Sequence, residues 1–233
     1  MSPSNKTKCL IVGCSNIIGY HHAFADVCFE DNKLDCLNRY LDENYYNPIP
    51  NYASVDRKIE KHNYYIYNAG RAGAGNEYIV ETAYQKIKED NFDYVFVQFS
   101  GLRRHDIKID NQWQFSGGPS GTNARQMQYF KDFYKNYDQD QHINDILDKC
   151  KGLLTYLDEE TIKYNWCFYY DTDKNSSLEN HFPAMMTHRN KIIPDPHTFS
   201  YSIGKGADDG CHFMYDGYRE WLSKIKHQLN LPR

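Results

Sequence analysis

The sequence predicts an α/β protein built on a doubly wound, mostly parallel sheet between two helical layers, a flavodoxin-like three-layer arrangement. Two observations predict it. Short apolar runs alternate with segments whose apolar residues recur at helical spacing, the signature of βαβ units. Three of those runs also end in loops of small and polar residues, and in a parallel sheet such loops gather at the carboxyl ends of the strands. At 233 residues, with no Pro/Gly/Ser-rich linker, the chain reads as a single domain over 1–233.

Taken in order, Lys8 to Gly13 is the first expected strand, and it runs into Cys14-Ser15-Asn16 and a helix from Ile18 to Phe29. A second short helix is expected from Lys33 to Leu41, then a loop from Asn47 to Asp56 that carries Pro48 and Pro50. Tyr64 to Tyr67 is a strand that leads through NAGRAGAGN into a helix from Glu77 to Glu89. DYVFVQF, Asp93 to Phe99, is the clearest strand, followed by a long polar loop whose tip is FSGGPSGTN. That tip reads equally as a flap or as a flexible loop. Helices around Arg125 to Tyr137 and Ile143 to Leu157, a strand WCFYY from Trp166 to Tyr170, and a last helix from Tyr215 to Leu229 complete the pattern.

Composition narrows the function. The net charge of −4, with both signs mixed along the chain, supplies no basic stripe for a phosphate backbone, so nucleic acid is not an expected partner. MSPSNKTK has no apolar signal-peptide core and no run of about 18 apolar residues follows, so the expectation is a cytoplasmic protein without a membrane span. Seven cysteines, odd in number and without a Cys-x-x-Cys pair, read as reduced core residues rather than a disulfide framework or zinc site. The 21 tyrosines fill core edges and surface, where exposed rings can also stack on sugars.

The stretch IVGCSNIIG, Ile11 to Gly19, is where chemistry is expected. A strand, a tight turn and a helix start place the Ser15 hydroxyl beside unpaired backbone N–H groups, which suits a developing anion. A serine nucleophile needs a base, and the base needs a carboxylate to fix its tautomer. ADDGCHF offers both, as Asp209 and His212 in an Asp-x-x-His spacing. Cys14 beside the helix start is read as buried packing rather than the attacking group. His21 and His22 lack partners at metal-ligand spacing, NAGRAGAGN lacks the Gly-Lys-Ser/Thr of a phosphate loop, and GCSNI is not a Gly-x-Ser-x-Gly elbow.

Together, GCSNIIG, NAGRAGAGN, FVQFSGLRRHD and DDGCHF resemble, in order, the four blocks of the SGNH or GDSL-like hydrolases. The resemblance implies a Ser15–His212–Asp209 triad, with the Gly73 N–H in the oxyanion hole and no cofactor or metal. The third block departs from the family's Gly-x-Asn-Asp. Ser100-Gly101-Leu102-Arg103-Arg104 has no asparagine to donate to the oxyanion, a loss worth about 3 kcal/mol in the transition state if nothing replaces it. Arg103 and Arg104 are the candidate replacements, with Asn76 and Asn16 weaker ones. The expected substrate is a small or glycan-linked ester, acetyl esters included. The Gly-Cys-Ser variant and the altered third block are similar to phage-encoded members, which keeps open a weakly active or silent glycan-binding or virion module, and with it homo-oligomer or virion assembly. A nucleotide- or methyl-donor-binding enzyme is the third reading, resting on glycine-rich turns alone.

Overall fold

The computed structural model describes residues 6–14, 20–29, 58–61, 63–168, 183–193 and 215–232. The expected Lys33–Leu41 helix and Asn47–Asp56 loop lie outside them. So do Ser15, Asn16, Asp209 and His212.

The first strand, β1 (Thr7–Val12), leads into α1 (Tyr20–Phe29). A short strand, β2 (Lys58–Glu60), precedes β3 (Tyr64–Asn68), α2 (Asn76–Glu89) and β4 (Tyr94–Phe99). A hairpin of β5 (Asp106–Ile109) and β6 (Gln112–Phe115) follows, then α3 (Thr122–Gln126), α4 (Gln128–Lys135) and α5 (Gln139–Glu159). Strand β7 (Lys163–Phe168), a 3₁₀ segment over Pro183–Lys191, α6 (Tyr215–Ile225) and a 3₁₀ turn over Lys226–Gln228 end the described chain.

The main sheet has the order β2-β3-β1-β4-β7. β3, β1, β4 and β7 are parallel to their neighbours, and only the β2 edge is antiparallel. The fold is thus the predicted three-layer α/β sandwich with a mostly parallel sheet. Side-chain alternation along each strand sorts the core into two faces. Leu10, Val12, Val95, Val97 and Trp166 pack with residues of α2 and α5 on one side. Ile11, Ile66, Tyr94 and Phe96 pack with Tyr20 and Phe24 of α1 and Trp221 of α6 on the other. Because α1 and α2 leave the sheet to opposite faces while β3 and β4 flank β1, the crevice of the fold opens at the carboxyl ends of β1 and its neighbours. No described helix is long and apolar enough to cross a membrane.

Several expectations need correction. The long polar loop after β4 contains the β5–β6 hairpin. Its turn is Asp110-Asn111 with φ of 48° and 61°, the left-handed pair that a two-residue hairpin turn requires and that Asp and Asn tolerate. The helix expected from Arg125 to Tyr137 is two helices broken at Met127, whose ψ of 126° is extended. The last α-helix stops at Ile225 rather than Leu229. The late strand begins at Lys163, earlier than Trp166, and Tyr169 and Tyr170 lie outside the described residues. FSGGPSGTN is a pinned turn: the buried Ser116 hydroxyl accepts from the His105 and Gly118 N–H groups at 3.0 Å each.

Candidate active site

The three loops predicted to meet do meet, and backbone and side-chain hydrogen bonds hold them together. The loop after β3 reaches back to the loop after β1, with Ala69 N–H donating to Ile11 C=O (2.8 Å) and Arg71 N–H to Gly13 C=O (3.1 Å). Asn76, at the start of α2, bridges to the loop after β4: its Oδ1 accepts from Ser100 N–H (2.7 Å) and its Nδ2 donates to Ser100 C=O (3.1 Å). Arg104 closes the set, donating from Nη1 to Ala74 C=O at 3.1 Å.

This geometry separates the sequence candidates. Gly73 sits at the crest of the second loop with φ of +78°, a conformation glycine adopts without steric cost. Among the described residues none accepts from its N–H. Arg104 is half-buried and braces the peptide next to Gly73, whereas Arg103 is exposed and its carbonyl accepts from the Tyr134 hydroxyl at 3.1 Å. Asn76 is fully buried and clipped at both ends of its amide to Ser100. Its amide, a weaker candidate for the missing oxyanion donor, is taken up in tying the start of α2 to the loop after β4. Cys14, the last described residue before Ser15, is fully buried with Sγ 3.6 Å from Gln98 Oε1, in keeping with the packing role.

Around this rim several buried polar atoms lack partners among the described residues. Gln98 Nε2, Ser100 Oγ and Asp106 Oδ1 all lie at or just beyond the carboxyl end of β4. Asp106 serves as the N-cap that α2 lacks locally. Gly75 has no side chain to cap with, so Asp106 Oδ2 accepts from the Gly75 N–H (2.6 Å) and the Tyr78 N–H (3.4 Å). A Cβ on Gly75 would lie 2.8 Å from that oxygen, so the contact needs glycine. Burial, with the Glu77 charge second, pushes the Asp106 carboxyl up to about 8.

Glu77, His105 and His142 form a cluster that the sequence reading missed. His105 Nδ1 lies 3.1 Å from Glu77 Oε1, and His142 Nε2 donates to Arg104 C=O at 3.1 Å. Burial lowers the His142 pKa, favouring the neutral ring. The three stand 28 and 37 positions apart in sequence, and the nearest available signal was the His-Asp that closes FVQFSGLRRHD.

No family model matches the sequence, and no curated protein matches it. The chain is similar along nearly its whole length to several solved structures. One is the psychrotrophic esterase EstA from Pseudoalteromonas sp., at 9% identity over 95% of this chain and 98% of that chain, with a TM-score of 0.49. A second is a mutant of Axe2, an acetyl-xylooligosaccharide esterase from Geobacillus Stearmophilus, at 12% identity over 100% and 98% of the two chains (TM-score 0.47). A third is a member of the lipolytic protein G-D-S-L family from Veillonella parvula, at 15% identity over 95% and 97% (TM-score 0.44).

Proposed function

We propose that the chain is a divergent SGNH-type serine ester hydrolase. The observation that supports this best is the junction of the three block-bearing loops at the carboxyl edge of the sheet, tied by Arg71 to Gly13, Asn76 to Ser100 and Arg104 to Ala74. That junction sets the backbone of the second block on Gly13 and the Gln98 side chain of the third block on Cys14, immediately before Ser15.

In the proposed reaction His212 takes the proton of Ser15 Oγ as the oxygen attacks the ester carbonyl, and Asp209 orients His212 and stabilises the imidazolium. The tetrahedral oxyanion is held by the Ser15 and Gly73 N–H groups. The protonated His212 then gives its proton to the departing alkoxide, and water hydrolyses the acyl-enzyme with His212 again as base. Arg104 acts as a positioning residue here. It fixes the Ala74 carbonyl, and hence the orientation of the Gly73 loop, in a protein whose third block supplies no asparagine donor. The substrate class we propose is a small acyl ester, carried on a carbohydrate.

The altered third block favours a second reading, a glycan-binding module of this fold with little or no turnover. One experiment separates the two. Intact-mass analysis after a fluorophosphonate probe should give a single adduct that maps to Ser15 and is lost in Ser15→Ala and His212→Ala. Ser15→Ala should also lower hydrolysis of a small acetyl ester by about 10⁴-fold or more. A folded wild-type protein that takes no probe and cleaves no acetyl ester would sink the hydrolase reading and leave the binding module.

A further inference from the structure

We infer that Glu77, His105 and His142 form a binding site for one divalent transition-metal ion of the zinc class, beside the rim but built from residues outside the proposed triad. One ligand-capable atom from each lies within 4.8 Å of the others. Two imidazoles and one carboxylate are a donor set that suits zinc and its first-row neighbours.

Three features of the cluster go beyond composition. First, the 3.1 Å from His105 Nδ1 to Glu77 Oε1 is already the spacing of two ligands on one ion. At metal–ligand bonds of about 2.05 Å, neighbouring ligands stand about 2.9 Å apart in octahedral and about 3.3 Å apart in tetrahedral geometry. Second, the tautomer of His142 is fixed. Its Nε2 faces the Arg104 carbonyl, which can only accept, so Nε2 carries the hydrogen and Nδ1 of the neutral ring keeps its lone pair. A ligating histidine characteristically donates its other N–H to such an outer carbonyl. Third, the rings are held in place: His105 stacks on Phe133 with centroids 3.8 Å apart, and His142 stands edge-on to His105 at 5.6 Å.

Glu77 and Asp106 also line an open cavity of about 570 Å³ with Lys149, from which water can complete the coordination. A cation and a second carboxyl group face the cluster: Lys149 Nζ is 3.9 Å from Glu77 Oε1 and half-exposed, and Asp106 is buried nearby. On binding, the ion takes the place of the hydrogen between His105 Nδ1 and Glu77, and the ring carries its hydrogen on Nε2 instead, so that His105 ligates through Nδ1 as a neutral imidazole. The ion then ties together the start of α2, the segment that carries Arg104 and His105, and the start of α5.

The test uses the full chain, stripped with chelator and titrated with Zn²⁺ and then Co²⁺. One equivalent should bind, with a Co²⁺ ligand-field spectrum and a rise in Tm, and binding should weaken at least about a hundredfold in both His105→Gln and His142→Gln, more than the outer-partner losses seen at such sites. His227→Gln, on the distant 3₁₀ turn, should bind as the wild type. Absence of saturable binding, or binding unchanged in both cluster variants, overturns the site. If a variant does not fold, X-ray absorption of the zinc-loaded wild type decides: two imidazoles in the first shell are expected, and fewer than two overturn the assignment.

Discussion

Near each end of α5 a histidine meets a carboxylate, and the two pairs are held differently. At the carboxyl-terminal end, Asp158 Oδ2 meets His188 Nδ1 at 3.0 Å and the Tyr164 hydroxyl at 3.0 Å, while Lys191 contacts Oδ1 and lies over the Tyr164 ring at 4.1 Å. Burial pushes the Asp158 carboxyl up, but the Lys191 and Tyr164 hydrogen bonds outweigh it and hold the group below its usual range. Both oxygens of that carboxylate are thus engaged, Oδ1 by a lysine and Oδ2 by a hydroxyl and an imidazole. At the amino-terminal end, about 24 Å away along a helix rising 1.5 Å per residue, Glu77 has His105 in contact, Lys149 only at 3.9 Å and the Asp106 N–H at a long 3.4 Å. The same residue types therefore hold a carboxylate with a close lysine and a tyrosine hydroxyl at one end, and with a histidine and a more distant lysine at the other. What separates them is how closely a lysine seats on the carboxylate, and the end with the more distant lysine is the one that borders the rim.

That contrast can be broken experimentally. The largest effects should come from the buried asparagine at each end. Asn76→Ala would orphan the Ser100 N–H and C=O, at a cost of about 2–4 kcal/mol. In a chain of this size that is a fall of about 4–16 °C in Tm. Asn165 accepts from the Tyr94 hydroxyl and the Asn230 N–H and donates to the Lys191 and Gln228 carbonyls, so Asn165→Ala should cost at least as much. The discriminating readout is ester hydrolysis well below either Tm. It should fall in Asn76→Ala and hold in Asn165→Ala, and equal loss in both would erase the distinction between the ends.

Gly75→Ala ranks next. Its Cβ would press on the Asp106 carboxylate at 2.8–3.0 Å, forcing the cap away from α2, and thermal unfolding should register about 1–3 kcal/mol of destabilisation. Smaller again is Glu77→Gln, expected at about 1 kcal/mol because the carboxylate is mostly buried and hydrogen-bonded to His105. Asp158→Asn should register under about 1 kcal/mol, since the 41% exposure of its side chain screens the pair. Metal titration sharpens this last comparison: Glu77→Gln should weaken zinc binding and Asp158→Asn should leave it unchanged.

Much of this architecture was legible in the sequence, because local patterns carry it. The run DYVFVQF could hardly be anything but a buried strand, and the apolar spacing after Gly75 specified α2. Alternation of strands and helices then implied a parallel sheet, and a parallel sheet implied that the loops after Gly13, Tyr67 and Phe99 share an edge. The β5–β6 hairpin was legible too, in Asp110-Asn111 between IKI and QWQF, but the polar composition around it masked the turn. The four blocks that suggest a serine hydrolase are also a property of the sequence.

Tertiary structure decided the rest, because side-chain roles depend on partners far away in the chain. Nothing local distinguishes Asn76 from a substrate-facing amide; its burial against Ser100, 24 residues on, does. Arg103 and Arg104 are neighbours of identical type, and only packing sends one to solvent and the other to the Ala74 carbonyl. Glu77, His105 and His142 come from a helix start, a strand approach and another helix start, so no sequence spacing could announce them. Sequence periodicity sets which face of an element is buried, while the meeting of three elements at one point is a property of the folded chain alone.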